Sequence, residues 1–190
     1  MEDAWIVAAK LYQPCYIGGW SAAEYWNLTE QIFTTIAVFT VKKPRDRHPE
    51  ISGTHFLLKT TPKRAMYGLK TVWRGQIKVL VSDPTRTILD FLVEPKIGGG
   101  IRPVIDMFIN YLKSEHKNLE LLLQYAQPIN NGAVFKRLGF LLEQYAPAET
   151  RVIDGCKKYL TTGNIKLDPS LEAKQLITRW RLWIPKEWSK

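Results

Sequence analysis

The chain has 190 residues, 45% of them apolar and 12% aromatic, with a formal net charge of +9. So much aromatic surface excludes a disordered chain, two cysteines exclude a disulfide scaffold, and no apolar run approaches the roughly 18 residues of a membrane helix. The opening Met1-Glu2-Asp3 is acidic where a secretion signal needs a positive start, so a cytoplasmic protein without membrane association is expected.

Length predicts a single domain over 1–190. It divides into an N-terminal helix within 1–14, a mainly β and basic part over 15–81, a helical part over 82–160 and C-terminal strands over 161–190. A short apolar helix is predicted over 3–11, stopped by Pro14. Ser21 and Glu24 have the spacing of a capping box, which predicts a helix starting at Ala22. Residues 34–41 (TTIAVFTV) are β-branched and aromatic and read as a buried strand; 42–49 (KKPRDRHP) read as a loop. A second strand is predicted over 51–59, and a hairpin over 71–73 and 77–81 turning at Arg74-Gly75-Gln76. Ser82-Asp83-Pro84 is a helix start signal, with Pro at the first helical position. Beyond Gly98-Gly99-Gly100, residues Ile101, Val104, Ile105, Phe108, Ile109 and Leu112 recur with helical period. Helices follow around Leu119–Ala126, Val134–Tyr145 and over 149–160, then strand character at 164–167 and a final strand over 178–184. In that last strand Trp180, Leu182 and Ile184 alternate with Arg179, Arg181 and Trp183. Strands followed by helices predict an α+β fold: a small, mostly antiparallel sheet with basic loops, packed against a helical bundle, the C-terminal strand returning to the sheet.

The charge is concentrated. Between Lys42 and Lys78 stand ten basic residues against two acids, Asp46 and Glu50, so this window carries +8 of the +9. Such a field attracts polyanions, nucleic acid above all. The candidate phosphate-contacting residues are Lys42, Lys43, Arg45 and Arg47 in the loop, with Lys59, Lys63, Arg64, Arg74 and Lys78 beside it.

No catalytic constellation is expected. His48 and His55 lie among cations, and no cysteine or carboxylate has matching metal-ligand spacing, so neither a metal nor a cofactor is predicted. Ser21 lacks the glycine that a nucleophile elbow requires, and the Gly98–Gly100 run lacks the Lys-Ser/Thr of a phosphate loop. Asp83, Asp90 and Lys78 form the one alternative, a Mg²⁺-dependent nuclease, although Asp83 also reads as a cap and Arg86 with Asp90 as an i, i+4 ion pair. Lys136 and Arg137 fall near a helix N-terminus, an unfavourable place for cations. They serve a ligand or partner, or pair with an acid elsewhere. Trp180 reads as core, while Trp183 and Trp188 are open to either burial or base stacking.

Several segments, in order, resemble the C-terminal domain of antitoxins from abortive-infection AbiE systems, the type IV toxin–antitoxin class. They are Tyr16-Ile17-Gly18-Gly19-Trp20-Ser21-Ala22-Ala23-Glu24-Tyr25-Trp26, the basic loop Lys42 to Arg47, Gly53-Thr54-His55-Phe56, and Ser82 through Asp90. Gly98-Gly99-Gly100-Ile101, Asn131 through Gly139 and Arg179-Trp180-Arg181-Leu182 complete the set. The resemblance implies a non-enzymatic protein that offsets a nucleotidyltransferase toxin and contributes to repression of the shared operon by binding DNA. Direct contact with the toxin is left open, and RNA is a second possible polyanion. Members of that family usually carry an N-terminal winged helix; only about a dozen residues precede the Tyr16 motif here, too few to form one. The alternative reading is a protein-binding module that docks an acidic partner on the basic face.

Overall fold

A computed structural model of the chain describes residues 3–188. The chain divides into two compact units, 1–87 and 88–190.

The first unit opens with α1 (Ala4–Leu11), capped by Asp3, whose carboxylate accepts from the Trp5 N–H at 2.8 Å. It is followed by β1 (Cys15–Ile17) and α2 (Gly19–Tyr25). Next come β2 (Thr35–Thr40), β3 (Glu50–Ile51), β4 (Thr54–Thr60), β5 (Leu69–Arg74) and β6 (Ile77–Ser82). These strands form one six-stranded sheet in the order β3-β4-β2-β1-β6-β5. The sheet is mixed rather than mostly antiparallel: β2 runs parallel to β4 and β1 parallel to β6. β2 is central, which is why its run of β-branched and aromatic residues is buried on both faces. Side chains alternate across the sheet. Cys15, Ile17, Val38, Phe56, Leu58, Val79 and Val81 pack with Trp5, Ala8 and Ala9 of α1 in one core. The face opposite α1 carries Tyr16 stacked on Phe39 with ring centroids 4.8 Å apart, together with Lys59 at the same level as Phe39.

Two sequence expectations are corrected in this unit. The predicted strand 51–59 is a hairpin. Ser52 (φ 50°) and Gly53 (φ 79°) both adopt the left-handed conformation of a tight two-residue turn between β3 and β4. The capping box does not form. α2 starts three residues before Ala22, with Gly18 as its cap, and the Ser21 hydroxyl accepts instead from the Ala37 N–H at 2.9 Å, tying α2 to β2.

α3 (Pro84–Val93) begins where the sequence predicts, and the Asp83 carboxylate accepts from the Arg86 N–H at 2.7 Å. In the second unit α4 (Ile101–Lys113), α5 (Leu119–Ile129), α6 (Gly132–Tyr145) and α7 (Thr150–Lys157) are followed by β7 (Ile165–Lys166), β8 (Gln175–Ile177) and β9 (Leu182–Ile184). α6 is the central helix: every residue from Val134 to Leu142 is buried, so it has no solvent face. The C-terminal strand does not return to the large sheet. β7, β9 and β8 form a separate three-stranded sheet, with β7 parallel and β8 antiparallel to β9. The final strand is also shorter than predicted. Thr178–Trp180 is a 3-10 turn and Arg181 is left-handed (φ 52°). The period-two burial of Trp180, Leu182 and Ile184 nevertheless holds, because all three are fully buried. The architecture is α+β.

Candidate nucleic-acid interface

The basic loop between β2 and β3 is held at both ends by backbone hydrogen bonds. On the β2 side the Val41 N–H donates to Pro14 O at 3.0 Å, and the Lys42 N–H donates to Thr40 Oγ1, whose hydroxyl in turn donates to Tyr12 O at 2.7 Å. On the far side Arg47 O and Pro49 O accept from Leu58 and Phe56 N–H, each at 2.9 Å, so the returning chain runs along the outer edge of β4. Within the loop, Asp46 folds back to accept from the His48 N–H at 2.8 Å. Two prolines, Pro44 and Pro49, restrict the rest. The backbone is thus anchored while Lys42, Lys43, Arg45 and Arg47 all stay exposed. A cavity of about 280 Å³ lies beneath, lined by Tyr12, Thr40, Pro44, Pro49 and Leu58 along with Lys42 and Asp46. Burial and the Asp46 carboxylate both push the Tyr12 hydroxyl above its usual pKa. Burial pushes the Cys15 thiol up to about 11, against the opposing pull of Lys42. Neither group is ionised near neutral pH.

The other predicted contacts divide into two groups. Lys59, on β4, and the exposed Lys63 and Arg64, in the 3-10 turn Lys63–Ala65 that follows it, lie on the same β2–β4 side as the loop. Arg74 and Lys78 belong to the β5–β6 hairpin, which starts three strand spacings from β4, about 14 Å. Arg74 is not a surface cation. Its guanidinium lies 4.3 Å from the Trp5 ring centroid and 5.9 Å from that of Tyr25, and it pairs with Asp3 at 3.7 Å. This half-buried side chain braces α1 against the hairpin. Lys78 is exposed, its ammonium 5.0 Å over the ring of Trp73. Trp73 was not singled out by sequence reasoning, yet it is 59% exposed. The signal available was its position in the period-two strand, out of phase with Val72 and directly opposite Lys78.

At Lys136 and Arg137 both side chains are buried and bonded within the chain, and Arg137 has Asp168 as its charged neighbour. Both lie in the buried stretch of α6, 1% and 4% exposed. The Lys136 ammonium donates to Thr161 Oγ1 at 2.9 Å and to Gly163 O. Burial, with Arg181 nearby, lowers its pKa. The Arg137 guanidinium donates to four carbonyls: Leu167 at 2.9 Å, Leu92 at 2.8 Å, Val93 at 3.2 Å and Lys166 at 3.1 Å. Burial pushes it down to about 10, and Asp168 partly offsets this. It therefore stays charged at neutral pH, its donors spent on the chain's own backbone.

The glycine run before α4 is similarly occupied. The Ile101 N–H donates to the Asp168 carboxylate at 2.8 Å, so a side chain of this chain already fills the anion position at that helix start. Asp83 and Asp90 are both buried. Trp180 is fully buried, Trp183 is 38% exposed, and the Trp188 ring lies 5.8 Å from the Arg102 guanidinium. Among the described residues no helix is long and apolar enough to cross a membrane.

No family model matches the chain, and no curated protein matches it. Among solved structures the fold is similar to that of the RV2827C protein from Mycobacterium tuberculosis, with a TM-score of 0.64 and 12% identity. The match covers 97% of this chain and 68% of that one.

Proposed function

We propose that the chain is a non-enzymatic antitoxin of the AbiE-like type IV class, acting in the cytoplasm. On this reading it neutralises a nucleotidyltransferase toxin and binds nucleic acid, contributing to operon autoregulation in phage defence. One observation carries the nucleic-acid part: an anchored loop holds Lys42, Lys43, Arg45 and Arg47 exposed beside Lys59, Lys63 and Arg64. Exposed cations clustered on the loop and on the turn after β4 suit phosphate contacts, which position a protein on a duplex without reading its sequence. The toxin-neutralising part is supported by the order of the motifs from Tyr16 to Leu182, and no catalytic group enters the reading.

Co-expression with a nucleotidyltransferase encoded beside this chain is the direct test: growth should be restored. For the loop, a salt series of duplex binding compares the parent with a variant in which Lys42, Lys43, Arg45 and Arg47 are all glutamine. Each phosphate contact contributes about 0.9 to the slope of log affinity on log salt, so the slope should fall by up to about 3.6. An unchanged slope discards the loop. Co-purification with the toxin, free of nucleic acid and lost in the same variant, would instead favour docking of an acidic protein.

A further inference from the structure

The loop reading leaves the β5–β6 hairpin unexplained. Its outward-facing side chains are unusual. Leu69 to Ser82 reads LKTVWRGQIKVLVS, without an acid; Lys70 and Arg74 alternate onto the α1 face and Lys78 onto the other. The register places Trp73 directly opposite Lys78 and Thr71 opposite Leu80 on the face away from α1. Trp73, Leu80, Thr71 and Lys78 are all exposed there, with Trp73 at 59% and Leu80 at 36%. An indole is the largest apolar side chain, and leaving one this exposed on a sheet face calls for a reason. The Lys78 ammonium, 5.0 Å from the centroid, occupies one face of the ring. The exposure shows that much of the rest of the ring is open. β5 is also the edge strand of the sheet, so nothing pairs beyond it within the sheet.

We propose that this hairpin is a binding site for single-stranded nucleic acid: Trp73 stacks on an unpaired base and Lys78 meets the adjoining phosphate. The proposal rests on the nucleic-acid reading above and extends it to a second surface with a different substrate class. Charge complementarity selects the ligand: Lys78 is the charged side chain that β5 and β6 place on this face, and it suits an anionic partner. Geometry selects the unpaired strand. A lone exposed indole on a β surface offers a flat face to a flat base, and in a duplex the base faces are already stacked on one another. The stacked base needs no sequence readout, so recognition is tolerant of sequence. Its 2′-position is not addressed, and RNA and DNA strands are both substrates by this chemistry.

The experiment measures binding of the full chain to oligo(dT), to oligo(U) and to a duplex, each at several salt concentrations. The parent, Trp73→Ala, Trp73→Phe, Lys78→Gln and the four-fold loop variant are compared, with thermal unfolding confirming that each folds. Loss of one stacked base corresponds to a fall of about ten-fold or more in affinity. Trp73→Ala should therefore lose at least that on both single strands, with its salt slope unchanged and its duplex affinity intact. Trp73→Phe should recover most of the loss. Lys78→Gln should lower the single-strand slope by about 0.7. Equal single-strand affinity in the parent and Trp73→Ala overturns the proposal. So does concentration-dependent self-association abolished by Trp73→Ala, which would assign the hairpin to a second copy of this chain. Duplex binding that depends on the loop, with no single-strand binding, overturns the hairpin while leaving the loop reading standing. Binding to neither form overturns both. The two single strands distinguish the source, since preference for oligo(U) by ten-fold or more would make RNA the ligand.

Discussion

The indole of Trp180 packs directly against the backbone of Gly139: a β-carbon at that position would sit inside the van der Waals envelope of ring atoms Cη2 and Cζ3. Val134 to Leu142 of α6 are all buried and the ring itself is fully buried, so it has nowhere to retreat. Among the described residues the Trp180 Nε1 finds no hydrogen-bond partner. Gly139→Ala should cost about 3 kcal/mol despite the higher helix propensity of alanine. Urea denaturation checks this: a variant as stable as the parent would mean that the ring moves aside.

The Ser21 hydroxyl and the Glu24 carboxylate make opposite predictions according to their roles. As a strand anchor, Ser21 satisfies the buried Ala37 N–H, and Ser21→Ala should cost about 1–3 kcal/mol. Glu24 is exposed and closes no capping box, so Glu24→Ala should change stability by less than about 0.5 kcal/mol. Equal losses in the two variants, read by thermal unfolding, would restore the capping box.

Asp168 makes stability depend on acid. Burial alone would raise its pKa, but the Ser170 hydroxyl and N–H, the Ile101 N–H and the Arg137 guanidinium together hold it below the usual 3.8. A carboxylate with a depressed folded-state pKa contributes stability that is complete above its unfolded value. That contribution disappears as the pH falls from about 3.8 through the folded value. Asp168→Asn should destabilise the chain at neutral pH and flatten the decline of stability below pH about 4. Urea midpoints from neutral pH down to the acid limit of folding would show this as converging curves.

Arg74 and the loop should separate cleanly. Arg74→Gln removes a guanidinium from the Trp5 ring and from Asp3 and should cost about 1 kcal/mol of stability. The slope of log duplex affinity on log salt should not change. A drop in slope comparable to that of a loop substitution would return Arg74 to the interface.

Local signals in the sequence were legible where the residue itself settles the matter. Asp83-Pro84 starts α3, and the helical period of Ile101 to Leu112 marks α4. Ser52-Gly53 was equally local but hidden inside a β-rich run, so a turn was read as continuous strand. Strand direction was not legible, because parallel pairing of β2 with β4 depends on partners far along the chain. The role of Lys136 and Arg137 stays open in the sequence for a related reason. A cation on a helix reads as a surface feature unless the enclosing elements are known, and the carbonyls that receive Arg137 lie 29 to 45 residues away. Of the candidate interface, the charge-rich loop was plain from composition. The separation of Arg74 and Lys78 from it follows from sheet order, and the exposure of Trp73 from a register that spacing alone does not fix.

The four carbonyls on Arg137 carry a consequence for synthesis. Two belong to Leu92 and Val93, made before α6, and two to Lys166 and Leu167, made well after it. During translation, α6 emerges with an arginine for which only half of the receptors exist. A ribosome-stalled chain ending before Lys166 would have to bury a guanidinium with two carbonyls missing, or keep α6 open to solvent. The second unit should therefore close late, in a single step, once β7 has left the exit tunnel.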